Sequence, residues 1–171
     1  MRGQYVVIRK QPRYAAPMGE DADRPRILIV DDSADDAEMY RLFLKSRGYV
    51  VAVASDGEEA VSRALNGTFD VVVLDIGLPK LDGFQVLTLL RSYISTSRLP
   101  VITLSARTGE VVRAAALHAG ADLALEKPLA PEDLEAAIEV FVPRGQEDSD
   151  QEGRRVDAAA GAAGASVRPP R

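Results

Sequence analysis

Three aspartates, a serine and a lysine stand where short apolar runs of this chain stop. "RILIVDDSADD" (Arg26 to Asp36) puts Asp31 and Asp32 directly behind one run, with Asp35 and Asp36 close after. Asp75 closes "VVVLD", Ser105 closes "VITLS" and Lys127 follows "LALE". Crowded carboxylates repel. Two unit charges about 4 Å apart interact by roughly 4 kcal/mol at an effective dielectric near 20. Such a crowd is strained unless a cation sits among its members. Taken singly, each residue has a plainer reading. An Asp-Asp pair is a common loop start or helix cap, a serine caps helices, and a lysine is ordinarily solvated. Their joint placement at successive run ends is what needs an explanation.

The runs read as strands. Ile27–Val30, Val50–Ala54, Val71–Leu74, Val101–Leu104 and Ala121–Leu125 are near-continuously apolar, as strands buried on both faces are. Helix-length amphipathic stretches lie between them. Met39, Leu42, Phe43 and Ser46 share one face of the first, and Gly48 marks its end. Asp56 with Glu59 suggests a capping box for the second, and Asn66-Gly67 a stop. Val86, Leu87, Leu90 and Ile94 form a third stripe. A weak, alanine-rich fourth (Val112, Ala115, Ala116, Ala119) ends at Gly120. The fifth opens on Pro131 and runs Leu134, Ala137, Ile138, Phe141. Five strands alternating with five helices predict an α/β, doubly wound parallel sheet covered on both faces. Functional groups of such a sheet gather at the carboxyl ends of its strands.

The motifs "ILIVDDS", "VVVLDIGLPKLDGFQVL", "PVITLSA" and "EKP" resemble the receiver domain of two-component response regulators, over roughly residues 26 to 142. The resemblance implies a flavodoxin-like strand order, 2-1-3-4-5, and a phosphorylatable aspartate. By position, it makes Asp75 the phosphoacceptor and Asp32 a direct Mg²⁺ ligand. Asp31 would act on the ion through water, and Gly77 would lend its backbone carbonyl. Ser105 would bond the phosphoryl group through its hydroxyl. Lys127 would pair with a phosphoryl oxygen, next to a cis peptide to Pro128. The residue chemistry agrees. Mg²⁺ is small and oxygen-seeking, keeps several waters, and takes one or two carboxylates plus phosphate oxygens. A carboxylate is a competent nucleophile toward a phosphoryl group, and catalysis of the transfer is mostly positioning and charge neutralisation.

The implied function is a single-domain phosphoacceptor switch, not an enzyme beyond its own phosphorylation and dephosphorylation. Its donor would be a phosphohistidine on a histidine kinase or histidine phosphotransfer protein. Its output would be an altered protein contact through the α4–β5–α5 face. One part of the family pattern is missing: the aromatic residue of the fifth strand is replaced by Ala124 in "ADLALEKP". Loop 105–110 and the alanine-rich fourth helix would then carry the change. A phosphate sink, or a pseudo-receiver that takes no phosphate, is the alternative. Gly77 and Arg107, each two residues past a site residue, would flank the path of hydrolytic water. A haloacid-dehalogenase-type phosphatase needs Asp-x-Asp after its first strand, and here the pair is adjacent. A flavodoxin needs hydroxyl and glycine donors in a first loop that instead reads "DDSADD".

Composition narrows the remaining classes. The chain has 171 residues, 46% hydrophobic and 27% charged, with a formal net charge of −5. That argues against nucleic-acid binding by this chain alone. The absence of cysteine excludes a disulfide framework, and a single histidine, His118, excludes a histidine metal cluster. His118 is expected as a surface or packing residue. No run approaches the ~20 apolar residues that span a bilayer, so no membrane partner and a cytoplasmic location are expected. Residues 1 to 25 carry basic residues and prolines without periodicity and are expected to form a disordered leader, a basic arm or sequence upstream of a start at Met18. Residues 143 to 171 are acidic and then rich in alanine, glycine and proline. They are expected to be a disordered, low-complexity tail.

Overall fold

The apolar runs pair edge to edge, but burial on both faces holds for the three inner runs and not for the outer two, at Val50–Ala54 and Leu123–Glu126, which are only partly buried. A computed structural model describes residues 24–107 and 109–142. The strands are β1 (Arg26–Val30), β2 (Val50–Ala54), β3 (Val71–Asp75), β4 (Val101–Ser105) and β5 (Leu123–Glu126). They alternate with α1 (Ala34–Ser46), α2 (Gly57–Asn66), α3 (Gly83–Ser92), α4 (Glu110–His118) and α5 (Pro131–Glu139). All pairings are parallel, in the order β2-β1-β3-β4-β5. This is the predicted sheet and strand order. The leader and tail expected on either side lie outside the described residues, except Arg24 and Pro25.

Strand side chains alternate between two cores. Ile27, Ile29, Val71, Val73, Ile102 and Leu104 face α1 and α5. Leu28, Val30, Val72 and Leu74 face the opposite layer, with Ala60 of α2, Leu87 of α3 and Ala116 of α4. Every residue of β3 and β4 is buried. The middle strands therefore have no freedom to slip by one residue, because a slip would exchange the two faces.

Several local expectations need correction. The buried face of α1 is Ala37, Tyr40 and Leu44, whereas Met39 is 42% and Leu42 55% exposed. Both stripes have helical spacing; the structure turns inward the one carrying tyrosine and alanine, which reaches α5 and β2. Ile94 lies beyond the end of α3 and is 85% exposed. In α4 only Ala116 is buried. At α2, Asp56 accepts from the Glu59 N–H at 2.9 Å, but the Glu59 carboxylate reaches the Ser55 N–H instead of closing a box. The reciprocal box is at α3. There Asp82 Oδ1 accepts from the Gln85 N–H at 2.9 Å and Gln85 Oε1 accepts from the Asp82 N–H at 3.0 Å. β5 starts at Leu123, two residues later than expected; just before it the Asp122 carboxylate accepts from the Val101 N–H and from Arg91. Gly48 (φ 91°) and Gly120 (φ 109°) end α1 and α4 as expected.

The capped start of α3 sits against the end of β3. A Cβ on Gly83 would lie 2.6 Å from both the Asp75 carbonyl oxygen and Ile76 Cα. Gly83→Ala should thus cost roughly 1–3 kcal/mol by overpacking against backbone, read as a lower urea midpoint at unchanged slope. Gly77→Ala, whose nearest neighbour would be Asp75 Oδ1 at 3.5 Å, should not show that loss.

Candidate functional site

β1 and β3 are neighbours at the centre of the sheet, so their carboxyl ends bring Asp31 and Asp75 together. Asp31 is 2% and Asp75 8% exposed. Each carboxylate is tethered by the loop that follows it. Asp31 Oδ1 accepts from the Ser33 N–H at 2.9 Å, and Asp75 Oδ1 accepts from the Gly77 N–H at 2.8 Å. Ser33 also caps α1, its hydroxyl accepting from the Asp36 N–H. The "DDS" turn therefore holds a carboxylate and starts a helix at once.

The second oxygen of each acid faces one cation. Lys127 Nζ donates to Asp31 Oδ2 at 2.6 Å, to Asp75 Oδ2 at 2.8 Å and to Asp36 Oδ2 at 3.3 Å. β5 ends one residue before Lys127, and the Lys127 N–H donates to the Ser105 carbonyl at 2.9 Å. The Lys127–Pro128 peptide is cis. Asp32 is exposed, at the rim. Asp31, Asp32 and Asp75 each present an oxygen, and these atoms lie within 4.8 Å of one another.

Four carboxylates thus gather where Lys127 is the partner of three. The donors around Asp75 are all hard oxygens, and the excess charge is negative. Both properties suit Mg²⁺. The structure draws Gly77 to Asp75 through its amide. Ser105 is 7% exposed and its hydroxyl is closed on its own loop, donating to the Arg107 carbonyl and accepting the Arg107 N–H, both at 3.0 Å. Ala124 is half-buried. With Thr103, Val112, Ala116 and Leu125 it lines a small cleft under α4. His118 is exposed.

Two contributors were not singled out from the sequence. Asp36 stood in the quoted acidic run without a role, and Tyr40 was not placed on the inward face of α1. Tyr40 is 2% exposed, and its hydroxyl donates to the Leu129 carbonyl at 2.9 Å. The signal for both was their i, i+4 spacing, which puts them on one side of a helix.

Comparison with known proteins agrees with this geometry. The response regulator receiver domain family matches residues 27–139. The chain belongs to that family. Response regulator MprA of Mycobacterium sp. (strain KMS) is 42% identical over 123 residues, 72% of this chain and 53% of MprA. This chain thus spans about half the length of the curated relatives it matches. Chemotaxis protein CheY4 of Vibrio cholerae superposes with a TM-score of 0.66 at 30% identity, covering 69% of this chain and 98% of CheY4. The receiver domain of sensor histidine kinase PA1611 from Pseudomonas aeruginosa has a TM-score of 0.66 at 29% identity, covering 71% of this chain and 99% of that one. That structure has a magnesium ion coordinated in its active-site cleft. Among the described residues of this receiver domain, no helix is long and apolar enough to cross a membrane.

Burial shapes the protonation of the pocket. It pushes the Asp31 carboxyl above the usual aspartate range, and the hydrogen bonds from Lys127 and Ser33 draw it only part of the way back. Burial also works against the Lys127 ammonium, but Asp31 and Asp75 outweigh it and raise the lysine above its ordinary value. Lys127 is therefore charged throughout the neutral range. A raised carboxyl pKa means that the folded chain holds the Asp31 proton more tightly than the unfolded chain does. The associated stability is complete below the unfolded value and is lost as pH rises through the folded one. Protons and Mg²⁺ compete for the same oxygens. Calorimetric Mg²⁺ affinity should accordingly fall as pH is lowered toward the raised Asp31 value, and Asp31→Asn should flatten that dependence.

Proposed function

We propose that this receiver domain is a cytoplasmic phosphoacceptor switch. It takes a phosphoryl group onto Asp75 from a phosphohistidine of a histidine kinase or histidine phosphotransfer protein. The observation that carries this reading is the Asp75 carboxylate at the carboxyl end of the central strand, 2.8 Å from Lys127 Nζ and beside the Asp31–Asp32 pair.

In the transfer, an Asp75 oxygen attacks phosphorus in line with the donor nitrogen. The O–P bond forms, the P–N bond breaks, and its electron pair returns to the imidazole. Asp32, Asp75 and the Gly77 carbonyl would hold Mg²⁺, with Asp31 acting on it through water, and the ion would supply charge neutralisation for the phosphoryl oxygens. Lys127 exchanges its bond to Asp75 for one to a phosphoryl oxygen. Tethering by the Gly77 N–H keeps the nucleophile oriented while that exchange occurs. The Ser105 hydroxyl leaves the Arg107 backbone to bond the phosphoryl group, and loop 105–110 moves with it.

The output runs through α4 toward a protein partner on the α4–β5–α5 face. Two features support that choice: α4 has no side-chain cap at its N-terminus, and it buries only Ala116. The Gly109 N–H, held by Glu126 Oε1 at 2.9 Å, ties the start of α4 to the residue before Lys127. A second reading rests on Ala124. With no aromatic ring to rotate, the domain would take phosphate without signalling, as a sink, or would serve as a pseudo-receiver.

Acetyl phosphate or phosphoramidate with Mg²⁺ should add one phosphoryl group to the intact mass, and Asp75→Asn should add none. Equal labelling of the two proteins would remove Asp75 from the role. Beryllofluoride should shift the amide resonances of 105–118. Shifts confined to the acidic pocket would favour the sink.

A further inference from the structure

Lysine carries its charge on a flexible four-carbon stem. Where the Lys127 ammonium can reach is therefore decided by how firmly its backbone is anchored. One anchor is the sheet, through the bond from the Lys127 N–H to the Ser105 carbonyl at 2.9 Å. β5 then ends, and the next residues, Pro128 to Ala130, belong to no strand or helix. Pro128 has no N–H with which to hold itself. Downstream, Leu129 packs on the core and the Ala130 carbonyl accepts from the Asp133 and Leu134 N–H groups. The side-chain anchor nearest Lys127 comes from another layer of the fold. Tyr40 of α1 donates its phenol hydrogen to the Leu129 carbonyl at 2.9 Å, across 89 residues of chain.

The phenol is suited to that task and has no other on view. The ring is 2% exposed in the core formed by α1, α5 and the sheet, so its position is set by packing. Burial pushes its pKa above the ordinary tyrosine value, so it stays a donor through the neutral range. Asp36, one turn earlier on the same face, accepts from Lys127 Nζ at 3.3 Å. One side of α1 therefore grips the segment twice, once at the ammonium and once two residues further on.

We infer that Tyr40 is a positioning residue for phosphoryl binding: its hydroxyl clamps the Leu129 carbonyl to α1 and so holds the segment that aims Lys127 at Asp75. The inference rests on the proposed phosphoacceptor role. It adds a requirement that the site residues alone do not contain. The Tyr40 hydroxyl bonds the Leu129 carbonyl, outside the set of residues assigned to the metal and the phosphoryl group. Its effect reaches the chemistry only through Lys127.

Tyr40→Phe keeps the packed ring and removes only the bond. Beryllofluoride affinity in saturating Mg²⁺ should fall roughly fivefold, the worth of one ordinary hydrogen bond. The Mg²⁺ dissociation constant without beryllofluoride should not change. Unchanged beryllofluoride affinity, with or without a loss of thermal stability, would show the bond to be merely structural. Equal weakening of Mg²⁺ would show that the whole pocket had shifted, and would also overturn the inference. Acetic anhydride labelling, followed by peptide mass analysis, separates this from failure of the phosphoacceptor role. If wild type ignores beryllofluoride, that role is lost. Faster acylation of Lys127 in Tyr40→Phe than in wild type would still uphold the clamp, and an equal rate would end it.

Discussion

Everything at the functional edge depends on keeping like charges together. Asp31 and Asp75 are buried carboxylates that would separate in water, yet they share one ammonium at 2.6 and 2.8 Å. Side chains do not choose this arrangement alone. It is imposed by the pairing of β1 with β3 and by a register set by apolar residues on both faces. Hydrophobic burial, summed over two cores, is large enough to hold an electrostatic arrangement worth a few kcal/mol against itself. A cation placed among the acids relieves that stored repulsion.

The same logic explains the uneven support around the pocket. The acids stand on central, fully buried strands and are tethered by the Ser33 and Gly77 amides. Lys127 stands on the edge strand β5, beyond its last residue. In the proposed transfer the ammonium changes partners on its flexible stem, from carboxylate to phosphoryl oxygen, while the acids stay in place. α4, with one buried residue and no side-chain cap, is the least committed helix beside the site.

Parts of this were legible in the residues. Near-continuous apolar runs gave the strands, because parallel strands buried on two faces have little polar sequence to break them. The acids at the run ends marked the functional edge, because chain direction is the same in every parallel strand. The inward face of α1 was not legible. Met39 and Leu42 are as apolar as Tyr40 and Leu44 and share the same period, so local pattern could not rank them. The α3 capping box was written in Asp82 and Gln85, but a similar spacing at Asp56 and Glu59 closes only halfway, since the glutamate finds the Ser55 amide first.

The sequence by itself determined the fold class, the strand order through its family motifs, and which residues stand at the carboxyl ends. Those properties follow from local polarity and chain direction. Only the tertiary structure decided that Lys127 is shared by Asp31, Asp36 and Asp75, that the Ser105 hydroxyl is folded back on Arg107, and that Tyr40 reaches Leu129. The Lys127 and Tyr40 contacts join residues 52 to 96 positions apart. A hydrogen bond at that separation has no trace in local periodicity. It exists because the packing of two layers brings a donor within reach of an acceptor.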